Sequence, residues 1–489
     1  MKKIKKLLIA NRGEIALRII RACKELGIKT VVAFSEADVN GVWVLKADEA
    51  YPVIGNPIDA YLNYEKIIDI AKKSKCDAIH PGYGFLSESA EFAQACIDNN
   101  IIFVGPSPEH IELFGDKMAS KVAMKKIGVP VLEGTDTPVT NSKEGEKIAK
   151  EIGFPIIIKA AFGGGGRGMR IVFKEEEFLE MYESATNESL KYFGRDEVFI
   201  EKYVQNPRHI EIQVIADKYG NVVHLGERDC SIQRRHQKVI EISPSPLLTP
   251  EVREKLAKVS TEAMKKLGYE SVGTVEFLVD ADDNAYFIEM NTRVQVEHPV
   301  TEITTGVDII QRMIEIAAGD RLKYKQNEIH FRGYAIEFRI NSEDPQKNFM
   351  PTTGTVKKYL TPGGPGVRLD TSLYSGYELP TCYDSMVGKL IVWALDWEGA
   401  VKKAKRALDE FYIEGFTTNI SLHREIVRDD EFKEGRFDTG YLDKNLEKFS
   451  FDAQSSLENE EKKLQELEEM IKNIKTNNLV SLKNSFTLY

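Results

Sequence analysis

Cysteine is scarce in this chain. There are five in 489 residues, Cys23, Cys76, Cys96, Cys230 and Cys382. The count is odd and no two lie within four residues of each other, which argues against a disulfide framework and against a cysteine-based zinc centre. A reduced, cytoplasmic compartment is the expectation. Long apolar runs are also missing. Leu7-Leu8-Ile9-Ala10 and Ile156-Ile157-Ile158 fall far short of the roughly 20 residues of a membrane helix. The basic start, Met1 to Leu7, is followed too soon by Asn11-Arg12-Gly13-Glu14 to be a signal peptide, and reads as the charged entry to a first strand. There is no excess of positive charge. Lys and Arg total 66 against 76 Asp and Glu, a net charge of −10, so neither nucleic acid nor a membrane surface is the expected partner and any polyanion site has to be local. The phosphate-binding pattern G-x-x-x-x-G-K-[ST] is absent too.

What is present suits a large folded enzyme. At about 150 residues per domain the length suggests roughly three domains, and 42% apolar with 29% charged residues allows a sizeable core. Residues 1–113 alternate short apolar runs with helical spacing (strands at 4–10, 30–34, 77–80 and 101–104, helices at 14–26, 64–73 and 90–99), the pattern of a doubly wound parallel sheet. The middle is different. Strand 155–160 runs into Gly163-Gly164-Gly165-Gly166-Arg167-Gly168 and then into strand 169–173, a hairpin with a glycine tip. Although 163–168 satisfies G-x-G-x-x-G, a strand follows it where a dinucleotide fold needs a helix. Backbone N–H groups of such a tip can close over phosphates. Further strands are expected at 198–203, 210–216, 222–226, 272–280 and 285–290, with a helix at 250–267. A third region, from about 331, mixes strands with a helix at 398–410. In the tail, Leu457, Leu464, Leu467, Ile471 and Ile474 form a heptad-like seam, expected to dock as an amphipathic helix on the chain's own surface.

The sharpest chemical signal is a hairpin. If Asp282-Asp283 is a two-residue loop, Glu276 and Glu289 face each other across adjacent strands. Directly opposed like charges are destabilising unless a cation lies between them. Asn291 falls on the same face, and two carboxylates with an amide oxygen suit Mg²⁺. The odd-numbered series continues through Arg293, Gln295 and Glu297. A second cluster, Glu227 to Lys238, is dense in Arg and Lys and includes Cys230, Gln233 and His236; it reads as a phosphate- or bicarbonate-binding pocket wall, with Cys230 a buried, inert thiol.

Read together, these segments resemble the biotin carboxylases, a family of ATP-grasp enzymes. The marking strings are Asn11-Arg12-Gly13-Glu14-Ile15-Ala16, His80 to Glu88, Gly115-Asp116-Lys117, Lys159-Ala160, Glu227 to Lys238, Phe287 to His298 and Tyr383-Asp384-Ser385-Met386. The resemblance implies an α/β ATP-grasp fold, α+β in its centre. Its parts would be an N-terminal doubly wound domain (1–113), an ATP-grasp domain (114–330) with a mobile lid at about 131–203, a C-terminal mixed α+β domain (331–446) and a helical tail (447–489). It also implies an ATP shell of Lys117, Lys159, the loop with Gly164, Gly165 and Gly166, Glu201, Lys202, Val204, His209, Gln233 and His236. Glu276, Glu289 and Asn291 would ligate Mg²⁺ or Mn²⁺. Lys238, Arg293, Gln295 and Val296 would hold bicarbonate, Glu297 would take its proton, and Arg339 would stabilise the biotin enolate. The chain departs from the family at Val39, Trp43 and Leu45, near an expected homodimer contact, and at Gln311-Arg312-Met313, Tyr334 and Phe338.

The expected reaction is ATP-dependent carboxylation of biotin by bicarbonate through carboxyphosphate. The biotin is expected on a separate carrier protein or biotinylated carboxyltransferase subunit. The two sequences nearest a biotinylation motif, Ala123-Met124-Lys125-Lys126 and Ala263-Met264-Lys265-Lys266, fall in helical stretches. The final acceptor (pyruvate, acetyl-CoA, propionyl-CoA or 2-oxoglutarate) is left open. Two rival readings are another ATP-grasp carboxylate ligase and a non-catalytic nucleotide-binding regulator; the retained Glu276, Glu289 and Asn291 speak against the second.

Overall fold

A computed structural model of the chain describes residues 4–160, 169–193, 196–451 and 465–473. The first five strands, β1 (Lys6–Ile9), β2 (Lys29–Ser35), β3 (Glu49–Val53), β4 (Ala78–His80) and β5 (Ile102–Phe103), form a parallel sheet in the order β3-β2-β1-β4-β5. β1, β2 and β4 are almost wholly buried, as strands covered by helices on both faces must be. β3 and the short helix Val42–Lys46 escaped the sequence reading; β3 alternates exposed and partly buried residues at the sheet edge. The order of strands reverses between β1 and β4, the place where such sheets open a crevice. The loops after both strands meet there, with Asn11 Nδ2 donating to the carbonyl oxygens of Pro81 and Tyr83, 2.7 Å each. Gly82 has φ +67°, and a Cβ on it would lie 2.9 Å from Asn11 Nδ2, so this contact requires glycine.

A small antiparallel sheet follows, β6 (Ile156–Ala160), β7 (Arg170–Val172) and β8 (Val198–Lys202), in the order β7-β6-β8. The expected hairpin is therefore present. With helices Ser142–Ile152 and Phe178–Phe193 it closes around its own small core of Val139, Ile156, Ile158, Phe178 and Ile200.

The largest sheet is antiparallel and eight-stranded. Its strands include β9 (Arg208–Ala216), β10 (Val222–Arg234), β11 (Gln237–Ser243), β12 (Ser271–Val279), β13 (Ala285–Asn291) and β14 (Tyr334–Asn341), in the order β13-β12-β9-β10-β11-β14, continued by Met386–Ala394 and Val367–Thr371. Segment 227–238 is thus mostly the end of one long strand and the turn into the next. β11 pairs with β14, Glu241 opposite Glu337, so the expected central and C-terminal regions share one sheet. A large apolar core including Phe338, Leu390, Leu408 and Phe432 lies on the C-terminal side.

Two expectations need correcting. The β12–β13 turn is not a two-residue loop on Asp282-Asp283. The strands stop at Val279 and resume at Ala285, because Asp280 Oδ1 accepts from the backbone of Asp282 and Asn284 and Asp283 takes φ +61°, a wider Asx-type turn. In the tail, Leu464, Leu457 and Ile474 lie outside the described residues. Leu467, Met470 and Ile471 are 47%, 60% and 51% exposed, so this stretch does not bury its apolar side chains on the chain's own surface. Among the described residues no helix is long and apolar enough to cross a membrane.

Candidate active site

Glu276 and Glu289 are directly opposed, as the sequence suggested, but by a different route. Next to the turn the register is Phe277 with Phe287. A bulge then inserts Ile288, and beyond it Glu276 pairs with Glu289 and Thr274 with Asn291. Glu276 also pairs on its other side with Glu211 of β9. Three acids therefore stand in a row across three strands, and such a row persists only if cations or protons neutralise it.

The protein supplies part of that neutralisation. Lys238, just past the β10–β11 turn, has its Nζ 2.6 Å from Glu211, 3.1 Å from Glu276 and 2.7 Å from Glu297. Glu276 also accepts from His209 Nε2 at 2.6 Å and Asn291 Nδ2 at 2.7 Å. Gln233 fixes the other nitrogen of His209 at 2.6 Å. Burial would push the Glu276 carboxyl up, but Lys238 and His209 hold it well below the usual carboxylate range; Glu276 in turn outweighs burial at His209 and raises it. Glu289 faces Lys117 Nζ at 3.4 Å. An acid pair with a neighbouring amide is an all-oxygen donor set for a hard cation. A divalent ion fits here: among the described residues Glu289 is partnered only by an exposed lysine, and the amide of Asn291 already lies against Glu276.

Strand geometry ends at Asn291, yet the polar series still converges. Arg293 bonds Asn291 Oδ1 at 3.0 Å, Gln295 Oε1 at 2.9 Å and Glu88 at 2.8 Å. Gln295 reaches Glu276 at 3.3 Å. The carbonyl of Val296 accepts from Lys389 at 2.8 Å. Glu297, at the head of helix His298–Thr305, is fully buried. It accepts from Lys238 and, at 3.0 Å, from Arg339 Nη2. Although burial alone would raise it, Lys238, Arg339 and Arg228 hold its carboxyl well below the usual range. Arg339 Nε is fixed by Glu241 at 2.5 Å. Cys230 Sγ lies 3.9 Å from Glu297, and burial pushes its thiol well up, consistent with an inert cysteine.

On the small sheet, Glu201 joins Lys159 (2.7 Å) and Lys121 (3.0 Å). Burial works against its charge, but the two lysines bring its carboxyl down to about 2. Three expected residues do not join either cluster. Lys202 Nζ donates to the carbonyls of Gly153 and Phe154, His236 is exposed on the β10–β11 turn with φ +63°, and Val204 lies in the loop after β8. Gly164, Gly165 and Gly166 lie outside the described residues. Sequence reasoning missed Glu88, Glu211, Glu241 and Lys121. Glu211 and Glu241 each carried a usable signal, a lone acid between isoleucines of a buried strand, Ile210-Glu211-Ile212 and Ile240-Glu241-Ile242.

With this geometry in place the comparisons are specific. Residues 3–111 match the model for "Biotin carboxylase, N-terminal domain", 116–325 "Carbamoyl-phosphate synthase L chain, ATP binding domain" and 337–444 "Biotin carboxylase C-terminal domain". The 2-oxoglutarate carboxylase small subunit of Hydrogenobacter thermophilus is 53% identical over 447 residues, 91% of this chain and 95% of that protein. The chain belongs to the biotin carboxylase family. A pyruvate carboxylase subunit of Methanothermobacter thermautotrophicus is 50% identical, covering 90% of this chain and 89% of the relative. A biotin carboxylase domain dimer of the Hydrogenobacter 2-oxoglutarate carboxylase, solved with MgADP, ADP and bicarbonate, superposes with TM-score 0.87 at 53% identity, over 91% of this chain and 98% of the other. The crowded acids and cations above thus sit in a biotin carboxylase fold.

Proposed function

We propose that this chain carboxylates biotin on a carrier protein, using ATP and bicarbonate and releasing ADP and phosphate. The observation that carries the reading is the position of Glu297. It is a buried carboxylate between Lys238 and Arg339, one strand-end away from the acid row. In this reading Glu276, Glu289 and Asn291 hold Mg²⁺ or Mn²⁺, which when bound supplies positive charge against the nucleotide phosphates. Lys117, Lys159, Glu201, Lys202, Val204, His209, Gln233 and His236 serve ATP, with a lid at about 131–203. Lys238, Arg293, Gln295 and the Val296 backbone hold bicarbonate.

The charge balance explains how Glu297 becomes a base. Held low by Lys238 and Arg339, it is fully deprotonated but a poor proton acceptor. A general base works best when its pKa approaches the working pH. When Lys238 turns to the bound anion, which Arg293 also holds, Glu297 loses one donor and gains a negative neighbour, and its pKa climbs. It then takes the bicarbonate proton, and the freed oxygen attacks the γ-phosphoryl group. The resulting carboxyphosphate breaks to CO₂ and phosphate. Phosphate takes the ureido N–H proton, Arg339 stabilises the enolate, and the nitrogen captures CO₂ to give carboxybiotin.

The decisive experiment is ATP hydrolysis with bicarbonate and free biotin. Bicarbonate-dependent phosphate release, stimulated by biotin, is expected. Release that needs an amino-acid carboxylate instead indicates another ATP-grasp ligase, and tight nucleotide binding with no release under any condition indicates a regulator. The biotinylated carrier is proposed to be a separate polypeptide and the enzyme a cytoplasmic homodimer. A streptavidin-reactive band at the mass of this chain, after incubation with its biotin ligase, would place the biotin here instead. The acceptor is set by the partner, since relatives named for 2-oxoglutarate and for pyruvate are 53% and 50% identical.

A further inference from the structure

Behind Arg339 lies an acid pair with no assigned role. Glu241 on β11 and Glu337 on β14 are direct cross-strand partners, and both are 0% exposed. Glu241 Oε1 accepts from Arg339 Nε. Among the described residues its Oε2 and both oxygens of Glu337 have no hydrogen-bond partner. Lys389 Nζ bonds Glu14 at 3.0 Å and the Val296 carbonyl at 2.8 Å and makes no bond to Glu337. An ionised carboxylate buried without a single donor is prohibitively costly. A neutral carboxyl needs an acceptor for its O–H. Side chains directly opposed on antiparallel strands have Cβ atoms about 5 Å apart, within reach of one O–H···O bond. One proton between Glu337 and Glu241 Oε2 therefore answers for both residues.

We propose that Glu241 and Glu337 share one proton and together act as the positioning group for Arg339, fixing its Nε edge so that the rest of the guanidinium faces the ureido ring of biotin. This rests on the reading of Arg339 given above. Burial pushes Glu241 up to about 7 and Glu337 well above the carboxylate range, against the pull of Arg339 and Lys389 respectively. The charged and titratable groups facing the pair are Lys238 on β11, Cys230 on β10, Arg339 on β14, Lys389 on the next strand, Glu297 at the head of its helix, Glu14 in the first turn of helix Gly13–Glu25, and Tyr83, whose hydroxyl donates to Glu14. With one proton the pair carries a single negative charge against Arg339. Loss of that proton at high pH puts two charges there and draws the guanidinium back from the substrate.

The test uses the full chain, free biotin, and bicarbonate-dependent ATP cleavage without biotin as the second rate. Glu241→Gln is expected to lower kcat/KM for biotin at least about tenfold more than it lowers the biotin-independent cleavage. Glu337→Gln keeps a permanent N–H donor to Glu241. It is expected to keep kcat/KM for biotin within about threefold of the parent and to move the alkaline limb of its pH profile upward, whereas Glu337→Leu loses tenfold or more. In the infrared spectrum of the folded protein, a protonated-carboxyl C=O band is expected that Glu337→Gln removes. An unchanged alkaline limb together with no such band in the parent would overturn the proposal, and so would a Glu241→Gln variant that loses both rates in equal proportion. A failure of the Arg339 reading shows separately, as equal loss of both rates in Arg339→Ser.

Discussion

At the scale of single residues the site is a contest between burial and neighbouring charge. Glu276, Glu289 and Glu297 were legible because like charges at opposed or alternating positions need a reason. The pairings of Glu88 and Glu241 were not, since their arginine partners stand 205 and 98 residues away and only the fold brings them together. Glu289→Gln keeps the shape of the side chain and removes its charge. The expected outcome is a loss of turnover on the order of 100-fold or more at saturating Mg²⁺, with an unchanged circular dichroism spectrum; normal activity would remove Glu289 from the metal site. Glu201 offers a test by acid. Its folded pKa of about 2 lies below that of an unfolded glutamate, near 4.3. Its contribution, on the order of 3 kcal/mol, is therefore present above about pH 4.5 and lost as pH falls toward 2. Relative to the parent, Glu201→Gln should lower Tm clearly at pH 7 and much less at pH 3.

At the scale of elements the hairpin β12–β13 shows how a right answer can rest on a wrong turn. The true turn is longer than two residues, which shifts the pairs nearest to it; the bulge at Ile288 then shifts the register by one and restores Glu276 opposite Glu289. A bulge leaves little mark in a sequence, because it is a property of two strands at once. Inserting one alanine between Ile288 and Glu289 should carry Glu289 to the opposite face of the sheet. Activity should vanish while thermal unfolding stays cooperative, and retained Mg²⁺-dependent turnover would show that the register beyond the bulge does not aim the side chain. Periodicity was a reliable guide where one face is buried, as at helices Tyr64–Lys73 and Pro250–Leu267, whose bounds agree with the spacing. It failed at β3, a strand at the sheet edge.

At the scale of the whole molecule, the strand order decides which parts move together. The small sheet holds Lys159 and Glu201 with a modest core of its own. The eight-stranded sheet carries Lys238, Glu276, Glu289 and Arg339. Regions with few buried contacts open locally at lower free energy. Amides of β6 and β8 should accordingly exchange at least about tenfold faster than those of β9 and β12, as read by mass spectrometry, and equal rates would mean that the two sheets open as one. The shared sheet has a further consequence for timing. On the proposed assignment, Lys238 of the anion pocket and Arg339 of the ureido pocket ride on one plate, so their spacing is fixed by hydrogen-bonded strands, while Lys159, the proposed nucleotide lysine, rides on another. Travel of one plate against the other would then tune the proposed first step and leave the second untouched. Solvent viscosity should then weigh on phosphoryl transfer, and the hand-over of CO₂ should ignore it.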